Sequence, residues 1–495
     1  SLEGSYHGDT IGTMSLAEAQ RQAEAACERG FAACAFDHQA AYEQLRRETR
    51  VEFDGNPSTV QGFNFGQMHM HMALSPIAEQ TGIPIKGLTG HGYRFLTFWD
   101  MDFHMFPYYL LTQPHRARKL LEYRYNQLPL YRANAKRWGA QGAQVPWETN
   151  TRGEEETAPW LCLQEREIHI SADAAHMFMR YAAITGDESV IRDMGAEFAF
   201  ETARFYASRL TWDAARERYE LPDIGCPDQY HTFADNNVFI SLMAQWNLAY
   251  AAGLFAQTDY APIADRIGVN SEEAATWRSM AEQLFIHETN ADGIVEQNDG
   301  FFELDRDLGG ICETYCSHSQ AVKQPDVLAA FIPFEARYPR EIRRKNWHYY
   351  NARTLHGSSL SLPGMAYAAA RCGLNDEALY NLHASCRMDL DDVNLDTERG
   401  VHVSGGAVEW YTVVHGFGGL DVTSEGLALR PNLPRQWSRL AFRVHWHHQP
   451  VDIEITREGV EVSVGTDQPC AVPVRIGDGA WVEIEAGGNI KEKTL

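Results

Sequence analysis

The sequence predicts a mainly α-helical protein, an (α/α) barrel of paired helices followed by a small C-terminal antiparallel β-sheet domain. Three observations predict this fold class. Nine segments place apolar residues at i, i+3 and i+4, the period of an amphipathic helix, and about a dozen helices are expected in all. The loops between them are long and rich in Gly, Pro, Trp and Asp, which favours a helical ring whose loops build a pocket at one end. After residue 420, apolar and polar residues alternate, as in strands.

The helical segments follow one another along most of the chain, and each ends near Gly or a polar cluster. In chain order they lie at 17–29, 35–50, 115–139, 171–186, 190–210, 236–256, 271–285, 361–373 and 376–390. We expect three parts: a helical lead-in over residues 1–32, a barrel over residues 33–420 and a β domain over residues 421–495.

The β domain is predicted from five alternating segments separated by turns that contain Gly. These segments lie at 440–448, 451–459, 460–467, 471–479 and 480–486. Nothing in them combines residue types that catalyse a reaction, so we expect the functional site in the helical part.

The balance of charges excludes several classes of partner. The 495 residues include 43 Lys and Arg against 67 Asp and Glu, a net charge of −24. A face that binds nucleic acid or an anionic membrane needs a local excess of basic residues, which this composition disfavours. With a mean hydropathy of −0.39 and no run of 18 apolar residues, we also expect no membrane-spanning segment. A small-molecule ligand fits better, and the 12 Trp suit a ligand with a flat ring.

Cysteine usage and the first residues predict a cytoplasmic location. The nine cysteines are an odd number, are scattered and include no CxxC pair, so we expect reduced thiols and no metal site. The opening residues SLEGSYHGDT lack the apolar core of a signal peptide.

Two segments combine aromatic rings with carboxylates. Residues 87–109 carry a cluster of glycines followed by Trp99 and Asp100, and Trp147 is followed by Glu148. Sugar sites need this mixture, because a flat ring stacks on the sugar and carboxylates accept hydrogen bonds from its hydroxyls. From composition alone, the segment at residues 87–109 is better explained as a core aromatic patch with helix-capping aspartates.

Four further segments are unusually polar for loops between helices. They are residues 223–237, the run from Lys323 to Asp326, residues 354–359 with their His and two Ser, and residues 396–410. Such loops are either surface or site. Serine hydroxyls and backbone N–H groups at a helix start also make a ready anion site.

In this order, the segments resemble glycoside hydrolase family 65, which contains inverting phosphorylases of maltose, kojibiose, trehalose and related α-glucosides, and a few hydrolases. The resemblance runs from about residue 30 to residue 460. GLTGHGYRFLTFWDMD is similar to the family's G-L-T-G-x-G-Y-x-G-H-x-F-W-D-T-E, GAQVPWET to G-A-x-x-P-W-E-S, and QEREIHISADAAH to Q-x-x-H-I-x-x-D-I-A. CPDQYHTFADNN is similar to G-P-D-E-Y-H-x-x-x-N-N, VKQPDV to K-Q-A-D-V, and TLHGSSLS to T-x-H-D-S-S-L-S.

The resemblance implies an (α/α)6 barrel with a sugar held at its mouth. The residues that match the family's sugar-binding positions are Trp99, Asp100, Trp147, Glu148, Lys323 and Gln324. Those that match its phosphate-binding positions are His356, Ser358 and Ser359. Inorganic phosphate would then be a co-substrate and no other cofactor is expected. Family members are often homodimeric and carry an N-terminal β-sandwich, which this sequence lacks.

One departure concerns the chemistry directly. The family's general acid is the Glu of P-D-E-Y-H, and this chain has Gln229 there. An amide cannot protonate a leaving oxygen, and general acid catalysis contributes roughly 10²–10⁴ in rate. Gln229 is either an engineered Glu→Gln exchange or a natural divergence. Further departures favour divergence: Cys226, Asp102, Gly357 and Arg399.

A natural loss of the acid leaves three classes of function open. The chain is an enzyme that recruits another carboxylate, an enzyme with a different reaction on a sugar-like substrate, or a protein that only binds sugar. The candidate carboxylates are Asp228, Glu398 and Glu409, and the last two could also serve as a base that positions water where the family binds phosphate. Our main interpretation is an enzyme that cleaves an α-linked glucoside with inversion, as a phosphorylase (a glycosyltransferase to phosphate) or as a hydrolase.

Overall fold

The computed structural model describes residues 16–74, 81–306 and 313–493. These residues form sixteen α-helices. The helices are α1 (Leu16–Arg29), α2 (Phe31–Glu48), α3 (Pro57–Ala73), α4 (Phe106–Thr112), α5 (Pro114–Asn126), α6 (Leu128–Arg137), α7 (Ile170–Thr185), α8 (Ala196–Arg209), α9 (Val238–Phe255), α10 (Ala261–Ile267), α11 (Ser271–Gln283), α12 (Asp326–Ala330), α13 (Arg340–Asn351), α14 (Ser361–Cys372), α15 (Asn375–Arg387) and α16 (Val403–Tyr411).

Twelve of these helices form a closed double ring. Six inner helices contact one another in the cyclic order α4, α7, α9, α12, α14 and α16, and α16 packs back against the π-helical turn Asp100–Met105 that leads into α4. The outer helices α3, α5, α8, α11, α13 and α15 alternate with them along the chain. The predicted (α/α)6 barrel is therefore confirmed.

Burial explains why the sequences of the inner helices are almost continuously apolar. In α9 and α16 the buried residues cover nearly every turn, because an inner helix is surrounded by the outer ring and by its own neighbours. By length and composition α9 is the one described helix that could cross a membrane, but 67% of it lies inside the ring. It is accordingly a core helix of the barrel.

The connections differ strongly between the two ends of the ring. Links from an inner to the next outer helix are mostly short, such as the single residue Gln113 or residues 373–374. Links from an outer to the next inner helix are mostly long, such as residues 210–237 and 284–325. Because the inner helices run parallel to one another, all six long-loop ends meet at one end of the barrel, the mouth.

Prolines lie in the first turns of α6 and α3, and the first of them corrects a predicted helix bound. The predicted helix over residues 115–139 is two helices, since Pro129 lies in the first turn of α6 and a proline cannot continue the hydrogen bonding of α5. Pro57 begins α3, a helix that was not among the predicted segments, and the Asn56 side chain accepts a hydrogen bond from Ser58 N at 2.9 Å.

The C-terminal strands form two sheets packed beside the barrel. The described residues contain eleven strands, of which β4 to β11 are C-terminal: β1 (Val51–Phe53), β2 (Thr211–Asp213), β3 (Arg218–Glu220), β4 (Leu420–Thr423), β5 (Gly426–Leu429), β6 (Arg439–Trp446), β7 (Gln449–Thr456), β8 (Gly459–Val464), β9 (Val472–Ile476), β10 (Val482–Ile484) and β11 (Asn489–Lys493). The sheet orders are β1-β6-β7-β8-β11 and β10-β9-β5-β4, and every pair in them is antiparallel except β5 with β9. The hairpin β2-β3 decorates the mouth loop before α9.

Strand β1 is the one element of the larger sheet that precedes the barrel. Val51 pairs with Phe442, and Ser438 N donates to Asp54 Oδ2 at 2.8 Å. The sheet therefore joins the chain before the ring to the chain after it. The domain bounds expected at residues 32 and 420 stay predictions.

Candidate active site

The mouth of the barrel brings together the segments singled out in the sequence. Trp99 and Asp100 begin the turn into α4, and Trp147 and Glu148 lie in the loop before α7. Gln229 precedes α9, Lys323 and Gln324 precede α12, His356, Ser358 and Ser359 precede α14, and Glu398 precedes α16. Glu409 alone lies inside an inner helix, in the second half of α16.

An aromatic wall forms one side of the mouth. The Trp99 and Trp147 rings are each 4% exposed and pack edge-on against the His169 ring, at centroid distances of 5.0 and 5.7 Å. Phe98 supports Trp147 from behind at 5.7 Å. The two tryptophan rings are therefore held in fixed orientations by their aromatic neighbours.

Two carboxyl groups stand next to this wall in different environments. Burial raises the pKa of Asp100 to about 6, although Ser404 Oγ donates to its Oδ1 at 2.7 Å. Burial also raises the pKa of Glu148 to about 7, opposed by the Arg94 guanidinium at 3.5 Å. Both are suited to accept hydrogen bonds from ligand hydroxyls, because such bonds replace the solvation that burial removed.

On the opposite side of the mouth, the side-chain amide of Gln229 pairs with the ammonium group of Lys323. Lys323 Nζ donates to Gln229 Oε1 at 2.6 Å, and Gln324 Nε2 donates to the carbonyl of Pro227 at 2.7 Å. These bonds tie the loop before α9 to the loop before α12. They fix the orientation of the Gln229 amide, whose remaining NH2 group can donate but carries no acidic proton.

Asp228, a sequence candidate for the missing acid, holds the loop together instead. It is fully buried and accepts from His231 Nδ1 at 2.6 Å, Gln297 Nε2 at 2.8 Å and Lys323 N at 2.7 Å. Burial acts to lower the pKa of His231, but the Asp228 carboxylate raises it. With three donors on its oxygens, Asp228 has a structural role.

Ser359 and Glu409 line one common cavity between α3, α15 and α16. The cavity has a volume of about 20 Å³, and its other polar lining includes His69, Ser385, Asp389 and His402. Glu409 is buried, accepts from Ser385 Oγ at 2.6 Å, and burial raises its pKa to about 7. A predicted phosphate-binding serine and a predicted catalytic carboxylate thus share one space.

The remaining predicted phosphate residues lie against the Gln229 side of the mouth. His356 Nδ1 bonds Ser361 Oγ at 2.8 Å, and Ser358 Oγ accepts from Leu360 N at 3.3 Å at the start of α14. A Cβ at Gly357 would come within 2.6 Å of Tyr230 Oη and 3.2 Å of Lys323 Cγ. This close approach explains why a residue without a side chain occupies position 357.

Glu398 differs from the other candidates because it is exposed on the turn Thr397–Arg399. The described contacts do not join it to the aromatic wall, to Gln229 or to the cavity. Its catalytic role stays a prediction from the sequence.

Glu167, His169 and Asp173 form a buried cluster next to the aromatic wall, and the sequence did not single them out as a functional cluster. Glu167 is 0% exposed, neither of its carboxyl oxygens has a hydrogen-bond partner, and Oε2 lies 3.6 Å from His169 Nε2. His169 Nδ1 in turn bonds Asp173 at 2.6 Å. Burial raises the pKa of Glu167 to about 7, and the positive charge of Lys323 acts to lower it. Glu167 therefore lies beside the His169 ring that both tryptophans of the wall contact.

A second cluster that the sequence did not predict lies next to the start of α16. Lys86 is 1% exposed, and its Nζ lies 2.7 Å from His402 Nε2 and 3.0 Å from Asp396 Oδ2. His402 Nδ1 lies 2.7 Å from Asp389 Oδ1. The Glu-x-His-x3-Asp spacing of the first cluster was a readable signal, whereas Lys86 and its partners are more than 300 positions apart in sequence.

We expect Glu167→Gln to stabilise the protein in a pH-dependent way. The folded-state pKa of Glu167 is raised from 4.5 to about 7, so the parent protein loses stability as the pH rises through this window. The free energy of unfolding of the variant, relative to the parent, should increase by about 3 kcal/mol between about pH 4.5 and pH 8. Urea unfolding at both pH values measures this difference. The exposed Glu425→Gln is the matched control, and an equal difference at both pH values would contradict the raised pKa.

The double helical ring with an aromatic and carboxylate-lined mouth defines the class of carbohydrate-active (α/α)6-barrel proteins. The family model for the glycosyl hydrolase family 65 central catalytic domain matches residues 64–411, and the model for that family's C-terminal domain matches residues 420–481. The chain belongs to glycosyl hydrolase family 65.

Similar proteins carry names of α-glucoside phosphorylases. A kojibiose phosphorylase of Halothermothrix orenii is 31% identical over 87% of this chain and 59% of its own length. An α,α-trehalose phosphorylase of Thermoanaerobacter brockii is 30% identical over 92% of this chain and 61% of its own length. A 1,2-α-glucosylglycerol phosphorylase of Bacillus selenitireducens is 30% identical over 86% of this chain and 62% of its own length. The chain thus spans about three-fifths of the length of these relatives.

A solved structure, a putative kojibiose phosphorylase from human microbiome, has the same fold. It superimposes with a TM-score of 0.87 over 97% of this chain and 64% of its own, at 24% identity.

Proposed function

We propose that this chain cleaves an α-linked glucoside with inversion at the mouth of the barrel. The observation that carries the proposal is the placement of two aromatic–carboxylate pairs and the Lys323–Gln229 pair at one end of the barrel, in the loops before α4, α7, α9 and α12. The relatives named for cleavage of kojibiose, trehalose and glucosylglycerol support the same substrate class.

In this proposal the sugar ring stacks on the wall formed by Trp99 and Trp147. Asp100 and Glu148 accept hydrogen bonds from its hydroxyls, and Lys323 and Gln324 grip it from the opposite side. The scissile oxygen faces Gln229, at the position that corresponds to the family's general acid. The co-substrate, phosphate or water, approaches from the side of His356, Ser358, Ser359 and Glu409. No further cofactor is needed for this chemistry, and we propose a cytoplasmic homodimer as the working form.

A second candidate function is sugar binding without turnover. The Gln229 amide favours it, because it has no proton to give to a leaving oxygen. One assay separates the two: the chain is incubated with kojibiose, maltose and trehalose, with and without phosphate, and free glucose and glucose 1-phosphate are measured. Release of either product supports the enzyme, whereas binding without release supports the second candidate.

We expect Asp100→Asn to weaken sugar binding by about 1.5–3 kcal/mol, the contribution of a hydrogen bond to a charged group. Isothermal titration with the tightest-binding disaccharide measures the change. Asp259→Asn, on the exposed turn that follows α9 at the far end of the barrel, is the matched control. Equal affinities of the Asp100 variant and the parent would place the sugar elsewhere.

A further inference from the structure

We propose that Trp160, Leu161 and Phe233 form an apolar platform at the rim of the mouth, and that this platform binds the part of the substrate beyond the cleaved bond. The preferred substrate is then an α-linked oligosaccharide with at least two sugar units after the glucose that is released. This inference rests on the proposed function and names the substrate class of the same site. The exposure of these side chains, their backbone conformation and their contacts with the site carry it.

Two aromatic rings on neighbouring mouth loops are exposed to solvent. Trp160 lies in the loop before α7 and is 82% exposed, and Leu161 next to it is also exposed. Phe233 lies in the loop before α9 and is 54% exposed. Single exposed apolar residues are common on protein surfaces, whereas a group of them on adjoining loops is typical of a binding surface.

Arg166 holds these two loops against each other. Its Cζ lies 4.9 Å from the centroid of the Phe233 ring, a cation–π contact. Its Nη1 donates to the carbonyl of Cys162 at 3.2 Å, two residues after Trp160, and its Nε donates to Asp223 Oδ1 at 2.8 Å. Trp160 and Phe233 therefore flank one guanidinium group and belong to one surface.

The backbone of this surface has an unfavourable conformation at residues that are not glycine. Phe233 has a φ of 62° and Cys162 a φ of 55°, both in the left-handed region. A bulky side chain at positive φ is rare, and such strain is concentrated at ligand-binding sites. Because the Phe233 ring is largely exposed, burial in the core does not compensate for this strain. A ligand that stacks on the ring does.

The loop that carries Phe233 also carries Gln229, where the scissile oxygen lies in the proposed function. The ends of this loop are closed by two hydrogen bonds between the backbones of Ile224 and Ala234, at 2.9 and 3.0 Å. Four residues span at most about 14 Å, so a leaving part with two or three sugar rings is long enough to extend from Gln229 to Phe233.

The loop that carries Trp160 is joined to the sugar-binding carboxylate Glu148. Thr157 Oγ1 accepts a hydrogen bond from Glu148 N at 3.2 Å, and the Thr157 carbonyl accepts one from Gln164 Nε2 at 2.6 Å. Trp160 follows this fixed point by three residues. The platform therefore continues the candidate site outward between two of its loops, and its flat rings are suited to stack on sugar rings.

The decisive experiment compares each trisaccharide with the disaccharide of the same linkage: maltotriose with maltose, and kojitriose with kojibiose. Isothermal titration measures the dissociation constants. For the linkage that the chain binds, we expect the trisaccharide to bind about tenfold more tightly, because its last unit stacks on the platform. Equal affinities within each pair would overturn the inference and leave the proposed function intact. Absence of binding by all four sugars would also overturn the inference, and the product assay above, which includes trehalose, decides the proposed function separately.

Variants at position 233 separate stacking on the ligand from a structural role of the ring. Phe233→Asn removes the ring and suits a positive φ. We expect it to abolish the advantage of the trisaccharide without a loss of stability in urea unfolding. Phe233→Tyr keeps a flat ring and should keep the advantage.

Trp160→Ala should also reduce the advantage of the trisaccharide. Tyr380→Ala, which removes a ring that is 74% exposed on the outer helix α15, is the matched control. An undiminished advantage in both Phe233→Asn and Trp160→Ala would overturn the assignment of the platform. The assignment would also be wrong if these variants changed the molar mass in light scattering but not the sugar affinities, because a protein partner would then cover the surface.

Discussion

Replacing Gln229 by glutamate is expected to raise the turnover of an α-linked disaccharide by about 10²-fold or more if Gln229 is an engineered exchange, and to change it little if Gln229 is a natural divergence. The new carboxyl group would stand where Gln229 now accepts a hydrogen bond from Lys323 at 2.6 Å, and it could protonate the leaving oxygen that an amide cannot. The nearby ammonium lowers the pKa of such a carboxyl group. The gain should therefore be larger at mildly acidic pH than at neutral pH.

α-Glucosyl fluoride provides the internal control for this prediction, because fluoride leaves without a proton. We expect Gln229→Glu to change its turnover little. Steady-state rates on both substrates, over a range of pH, measure the two effects side by side. A variant that gained nothing on the disaccharide would show that proton donation belongs to another group, and Glu167 would be the first to test.

Replacing Arg124 by methionine is expected to lower the free energy of unfolding by about 3–5 kcal/mol. Arg124 and Asp102 are fully buried and form a paired contact, in which Arg124 Nε donates to Asp102 Oδ1 at 2.8 Å. Arg124 Nη1 also donates to Tyr131 Oη at 3.0 Å and to Thr149 Oγ1 at 3.2 Å. Removing the guanidinium leaves the Asp102 carboxylate buried without its counter-charge.

Urea unfolding of Arg124→Met at neutral pH measures this loss, with the exposed Arg435→Met as the matched control. The double variant Asp102→Asn/Arg124→Met should recover part of the stability, because no charge is then stranded. A loss as small as that of the Arg435 variant would contradict the structural role of the pair. Asp102 lies in the same turn as Asp100, so sugar affinity should fall together with stability.

Helical periodicity predicted most of the barrel, and the failures have physical causes. The inner helix α12 has five residues, too few to show a period, and α13 is so rich in charged residues that its apolar stripe is thin. Strand β1 has three residues and is stable only through its pairing with β6, which no local pattern reveals.

Some residues of the candidate site could likewise be predicted from the sequence, and others could not. The pairs Trp99 with Asp100 and Trp147 with Glu148 could be predicted as sugar-binding candidates, because an aromatic ring next to a carboxylate is itself typical of a sugar site. For Glu167, the spacing to His169 and Asp173 could be read from the sequence, but its complete burial without a hydrogen-bond partner could not, because that burial arises only when the loops before α7 and α9 pack together. Glu398 and Glu409 looked equivalent in sequence. Only the fold places one on an exposed turn and the other in a cavity.

The closure of the ring sets the order in which the protein can assemble during synthesis. Gln67 Nε2 in α3 donates a hydrogen bond to the carbonyl of Gly406 in α16, which is 339 positions later in the chain. Asp54 accepts a hydrogen bond from Ser438 N, which is 384 positions later. Until α16 leaves the ribosome, α3 has no partner on its closing side, and the apolar flanks of the unfinished ring face water. Such late, distant contacts are slow to form and leave intermediates prone to aggregate. We therefore expect a nascent chain that depends on a chaperone until its last helix is made.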